Sequence, residues 1–241
     1  MWNRTPPVPH DAHTVKLIVI LGLVLYANVI VNEMLEPAWY VPFNLGLLGV
    51  TLVIARSAGT TWTSMGLRRD RTGTGVKIGL AAAAAAVALA AIALTVPAVR
   101  ELLRDERFVD SSIGLLLYHA LIRIPIGTAL YEEVLFRGVI FGMLVRRYPP
   151  LIAGLSSSLL FGLWHILPVL DVLETNPAGD HFSGVLAISG ALIAAVVITS
   201  LAGLGLLWIR LLANSIVAPV LVHIGTNSMA ILAVIVVVHL A

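Results

Sequence analysis

Long apolar runs alternate with short polar breaks along the whole chain. The runs are Val15–Val31, Trp39–Ala55, Val76–Val99, Ile113–Leu130 continuing to Val145, Leu151–Leu170, Gly184–Ile209 and Ile216–Leu240. Each approaches the ~20 residues a helix needs to cross a bilayer. The pattern predicts an all-α, polytopic transmembrane helix bundle of about seven helices, or eight if the fourth breaks near Pro125, where the chain lacks an amide donor. No polar stretch is long enough for a soluble domain, so residues 1–241 are expected to form a single integral membrane domain. The polar, Pro-rich start MWNRTPPVPHDAH enters the first run, and NEMLEPAW follows it. Lacking a small-x-small cleavage site there, the run is expected to be an uncleaved first span.

Composition sharpens this picture. The chain is 59% hydrophobic and 12% charged, with a mean hydropathy of +0.98, whereas soluble domains carry about 25% charged residues. The net charge of +2 is spread over the polar breaks, so no nucleic-acid partner is expected, since that needs a clustered basic face. With no Cys, disulfides and thiolate chemistry are excluded. Arg far outnumbers Lys, which occurs only at Lys16 and Lys77, and Ala is abundant; both fit a GC-rich bacterial genome.

The breaks also set orientation. Arg56, Arg68, Arg69, Arg71 and Lys77 fall in one, Arg146 and Arg147 in another and Arg210 in a third. Strict alternation puts these three on one side, opposite Glu33, Glu36, the mixed segment 100–110, Asp171, Glu174 and Asp180. By the positive-inside rule the N-terminus and the arginine-rich breaks are cytoplasmic, as in a multi-pass protein of a bacterial inner membrane. In TTWTSMGLRRDRTGTG, Trp62 and Met65 are expected at headgroup level with the arginines outward.

Ionisable groups within spans are costly and face the bundle interior. Glu132, Glu133 and Arg137 in YEEVLFRG, His165 in FGLWH, and His223 with Asn227 in HIGTN stand out. Glu133 and Arg137 are spaced i, i+4 and share a face as an ion pair. Glu132 lies ~100° round the helix, with no partner on its own helix. Glu132 is 16 residues before Tyr148 and His165 is 16 residues after Pro149. A hairpin turning at RRYPP therefore puts both side chains ~24 Å from the turn. His223 and Asn227 also share a face, on a last helix expected to start at Asn214 or Ser215, which places His223 only ~12 Å from its start. The levels agree if the hairpin protrudes by about two turns. His119 is expected to be an interhelical hydrogen-bonding residue, and His10, His13, His181 and His239 to lie in tails or loops. Ser156–Ser158 read as small packing residues.

One carboxylate, two imidazoles and a carboxamide point to hydrolysis. Glu132 is the candidate general base toward water, with His165 sharing that water or moving its proton. His223 and Asn227 are candidate donors to a developing oxyanion. Two His plus a carboxylate is also a zinc arrangement, with Glu132, His165 and His223 as its ligands, though no HExxH signature is present. Metal-independent water activation is favoured, with zinc the alternative cofactor.

EEVLFR, FGLWH and HIGTN resemble, in order, the EExxxR, FxxxH and HxxxN motifs of the CPBP (CAAX protease and bacteriocin-processing, or Abi) family of intramembrane endopeptidases, and SMGLRR and NSIVAPVLVH extend the likeness over residues 62–227. The resemblance implies that Glu132 activates water with His165 beside it, and that His223 and Asn227 line the oxyanion site. Glu133, Arg137 and Phe161 belong to the motifs and hold structure. It implies a membrane-associated peptide or protein substrate, but prenylated CAAX tails are not carried over to a bacterial chain. Two other readings use the same residues: a proton-coupled transporter with Glu132 and His165 as relay, and a non-catalytic immunity or scaffold protein of the same fold. Transporters of the first kind often show paired halves, and no internal repeat is visible.

Overall fold

The computed structural model describes residues 10–93, 95–96, 111–175 and 184–234. The ends of the third and last apolar runs, the segment 100–110, Asp180, His181 and His239 lie outside these residues. Among the described residues there are helices and turns but no strands. α1 is His10–Val29 and runs into a π-helical turn, Ile30–Met34. α2 is Tyr40–Ser57, α3 is Thr72–Ala93 and α4 is the continuous span Ile113–Leu144. α5 is Pro150–Trp164, α6 is Ile166–Thr175, α7 is Val185–Ala213 and α8 is Val217–Val234. Six of the described segments are long and apolar enough to cross a membrane, with α5 and α6 counted as one. The chain is a multi-pass membrane protein, as its hydropathy predicts.

α4 is the central post: every residue from Tyr131 to Leu144 is buried except for slight exposure at its end. Around it, large apolar side chains such as Ile18, Leu186, Ile198 and Trp208 point outward, the surface a bilayer covers. The expected break in the fourth helix at Pro125 does not occur. Residues His119–Leu130 and Glu133–Ile140 adopt π-helical bonding instead, with Pro125 inside the first stretch. In an i→i+5 ladder Pro125 fails to donate to the Ala120 carbonyl, and Ser228 Oγ of α8 supplies the bond at 2.9 Å.

The break falls in the fifth span. His165 ends α5 with φ −84°, ψ 0°, and α6 restarts at Ile166. Pro168 has no N–H for the Trp164 carbonyl four residues back. Asn28 Nδ2 of α1 donates to that oxygen at 3.2 Å, and Asn32 Nδ2 in turn bonds Asn28 Oδ1 at 2.9 Å. Side chains from other helices thus complete both proline-interrupted ladders.

α3 lies along α8 through small residues. A Cβ on Gly79 would stand 2.9 Å from the Ala218 backbone, and one on Gly75 would stand 2.6 Å from Ser215 Oγ. Gly75 and Gly79 form a GxxxG pair of the kind that lets membrane helices approach closely. Gly225 meets Ala83 further along.

The three arginine-bearing breaks do meet at one end. Arg146 Nη1 donates to Gly59 O at 2.7 Å, and Arg210 Nη2 donates to Ser64 O at 2.5 Å. One expectation there needs correction. Arg210 is not in a loop but within α7, and only 1% exposed. Met65 is fully buried, because the 58–68 turn folds inward over Gly138 and Gly142 of α4, while Trp62 stays exposed. Of the two residues expected to open the last helix, Asn214 closes α7 in the left-handed conformation, φ 50° and ψ 38°, while Ser215 does cap it, its Oγ accepting from Val217 N. His13, expected in a tail, is a buried residue of α1.

Candidate active site

The site forms where α4, α5 and α8 meet. Glu132 is 4% exposed, Glu133 is fully buried and Arg137 is 1% exposed. Arg137 Nη1 donates to Glu133 Oε1 at 2.9 Å, the i, i+4 ion pair the spacing predicts. Its guanidinium carbon stands 3.9 Å from the centroid of the Phe161 ring, and Gly203 of α7 makes room for it, since a Cβ there would lie 3.1 Å from Nη2. The same Glu133 Oε1 lies 2.8 Å from His223 Nδ1. With Nδ1 bonded to a carboxylate, that nitrogen carries the proton and the opposite nitrogen, Nε2, is turned elsewhere. Nε2 faces Glu132 Oε2 at 3.8 Å.

Glu132 is held on one side only. Trp164 Nε1 donates to its Oε1 at 3.0 Å, and among the described residues Oε2 has no hydrogen-bond partner although it is buried. Trp164 neighbours His165, so the hairpin arithmetic finds the right level one residue away. The levels also reconcile as expected: Glu132 precedes Leu144 by 12 residues and His223 follows Val217 by six, so the α4–α5 hairpin extends ~9 Å beyond the start of α8. The 58–68 turn fills that step, since Gly66 O accepts from Ile216 N at 2.9 Å.

Phe161 is the ring around which the site packs. Its centroid is 4.5 Å from His165, 5.3 Å from Phe136 and 6.1 Å from His223. His165 Nδ1 lies 2.7 Å from the Phe161 carbonyl, which can only accept. This bond fixes the proton on Nδ1 and leaves the lone pair of Nε2 available in the neutral ring. Asn227 sits one turn beyond His223. Among the described residues it makes no hydrogen bond to either glutamate, and its Oδ1 is 3.5 Å from Thr226 Oγ1. His119 lies 3.4 Å from Arg123 of its own helix rather than reaching another helix in that contact.

The structure therefore brings Glu132, Glu133, Arg137, Phe161 and His223 together, with His165 against Phe161. Sequence reasoning missed Trp164, Asn28, Tyr131 and Arg123. Tyr131 is fully buried beside Glu132, and its hydroxyl has no hydrogen-bond partner among the described residues. Arg123 stacks over Tyr40 at 3.9 Å. Its position inside an apolar run was the signal that went unused. No group of three His, Cys, Asp or Glu side chains spaced for a metal ion occurs among the described residues.

These features define a class: a multi-pass helical membrane protein with a carboxylate–imidazole site buried in its core. Residues 114–229 match the family model described as Type II CAAX prenyl endopeptidase Rce1-like. That stretch, just under half of the chain, holds all three motifs, and the match is consistent with the CPBP resemblance. No curated protein and no solved structure matches the chain.

Proposed function

We propose that the chain is an intramembrane endopeptidase that hydrolyses a peptide bond with water activated by Glu132. The observation that carries this reading is the buried, unshared Oε2 of Glu132 facing His223 Nε2 at 3.8 Å. The gap is too long for a direct hydrogen bond, and a water lying off the direct line bonds both atoms at ~2.8 Å. Trp164 keeps the carboxylate from rotating away. Glu132 takes a proton from the water as its oxygen attacks the substrate carbonyl. Nε2 of His165 is the second group able to take or return a proton. Nε2 of His223, whose proton sits on Nδ1, holds the water rather than donating, so Asn227 Nδ2 serves the oxyanion, with Glu133 and Arg137 holding the His223 ring in place. In the final step the proton passes to the leaving amine, so the net reaction adds water across the amide.

The substrate is a membrane-associated peptide or protein. The arginine-bearing end is cytoplasmic, as positive-inside bias predicts, and the setting is a bacterial inner membrane. The test uses detergent-purified protein and a panel of fluorogenic peptides. Cleavage by wild type that is lost in Glu132→Gln supports the proposal. Solute uptake into proteoliposomes that depends on Glu132, with no cleavage of any peptide, would replace it with a carrier.

A further inference from the structure

A second polar feature lies apart from the Glu–His cluster, at the arginine-bearing end of the bundle. A cleft of about 610 Å³ opens there between the 62–72 turn and the start of α8. Trp62, Gly66, Leu67, Arg68, Arg69 and Thr72 line one side, and Ser215–Val217 the other. The positive ends of two helices, α3 and α8, meet at this cleft. Arg69 is exposed and forms no salt bridge with a described acid. Arg68 is shared with Asp70, at 2.5 Å.

Behind the Gly66 wall of the cleft, and not lining it, lies a buried cation. Arg210 is 1% exposed, and its Nε has no hydrogen-bond partner among the described residues. That nitrogen presses against Gly66, a residue of the cleft wall, 2.9 Å from where a Cβ would stand. Its other contacts are the Ser64 carbonyl and the Phe141 ring, neither of them an acid. A buried guanidinium without a carboxylate is costly, and an anion seated in the cleft offsets that cost.

We propose that this cleft binds the phosphate of an anionic phospholipid headgroup. The cleft sits at the end of the spans where headgroups lie, and exposed Trp62, with Arg56 5.0 Å over its ring, has the amphipathic character of an interface anchor. Basic pockets between membrane helices on the cytoplasmic side are suited to such headgroups. Arg69 and the helix ends contact the phosphate, Arg210 acts from behind the Gly66 wall, and Asp70 competes for Arg68.

The test heats full-length protein in zwitterionic detergent with short-chain phosphatidylglycerol, phosphatidylcholine or inorganic phosphate at equal concentrations. Phosphatidylglycerol is expected to raise the unfolding midpoint of wild type by about 5 °C at saturation, and the other two are not. Arg69→Gln loses roughly half of that shift or more, Asp70→Asn reaches it at lower lipid concentration, and Lys77→Gln, which removes an equal charge outside the cleft, keeps it. Three outcomes overturn the proposal. They are an equal shift with phosphatidylcholine, an equal shift with inorganic phosphate, or equal losses in Arg69→Gln and Lys77→Gln, which would mean diffuse attraction rather than a site.

Discussion

His223 Nδ1 and Arg137 Nη1 share one acceptor, Glu133 Oε1, at 2.8 and 2.9 Å. The second glutamate of the motif is therefore more than one half of an ion pair. It also fixes which nitrogen of His223 faces Glu132. Glu133→Ala strands a buried guanidinium and frees the imidazole together. The expected loss of stability is about 3–5 kcal/mol, read as a lower midpoint in detergent, and an unchanged midpoint would refute the shared-acceptor account. Glu133→Asp retains the charge on a shorter arm and should recover stability better than cleavage.

Glu132 is the opposite case. Glu132→Gln keeps the size of the side chain and an oxygen for the Trp164 bond, so folded yield should stay close to wild type. Cleavage should fall by at least ~10²–10⁴-fold, the usual worth of a positioned base. A fully active Glu132→Gln protein ends the general-base proposal.

Asn28 is predicted to matter only because of Pro168. Asn28→Ala leaves the Trp164 carbonyl unsatisfied in an apolar setting, at a cost of about 1–3 kcal/mol. In a Pro168→Ala background residue 168 regains its N–H and can serve that carbonyl itself. The penalty for Asn28→Ala should then shrink, and a double-mutant cycle on unfolding midpoints measures the coupling. Additive effects would show that Asn28 acts elsewhere.

Gly79 sets how near α3 comes to α8. Gly79→Leu drives a side chain into the Ala218 backbone, where even a Cβ stands at 2.9 Å. Since α8 carries His223, both the midpoint and the cleavage rate should drop. Gly73→Ala, on the same helix with nothing within 4 Å of its Cβ position, is the control and should leave both unchanged. Equal behaviour of the two variants would remove the close-packing argument.

Activity should survive exhaustive chelation, measured as peptide cleavage after dialysis against a strong chelator. Loss on chelation with recovery on added zinc would favour the metal alternative built on Glu132, His165 and His223.

Much of this was legible in the chain because bilayer crossing is a local property. Seven apolar runs, the RRYPP hairpin, the Glu133–Arg137 pair and the common level of Glu132 and the end of α5 all follow from hydropathy and helical rise. Burial in a membrane leaves charged residues few, and that made the motif visible. What stayed hidden depends on partners distant in sequence. Whether Pro125 or Pro168 interrupts a helix is decided by which ladder continues in π form and which side chain, Ser228 or Asn28, reaches the carbonyl left over. Which glutamate meets His223 is decided by the rotation of α4, and its π-helical stretches turn successive side chains by less than the 3.6-residue arithmetic assumes. The sequence by itself determined that the chain is a polytopic helix bundle and which polar groups lie within its apolar runs. Only the tertiary structure decided how those groups pair, because an angle of rotation and a close approach at Gly79 belong to two helices at once.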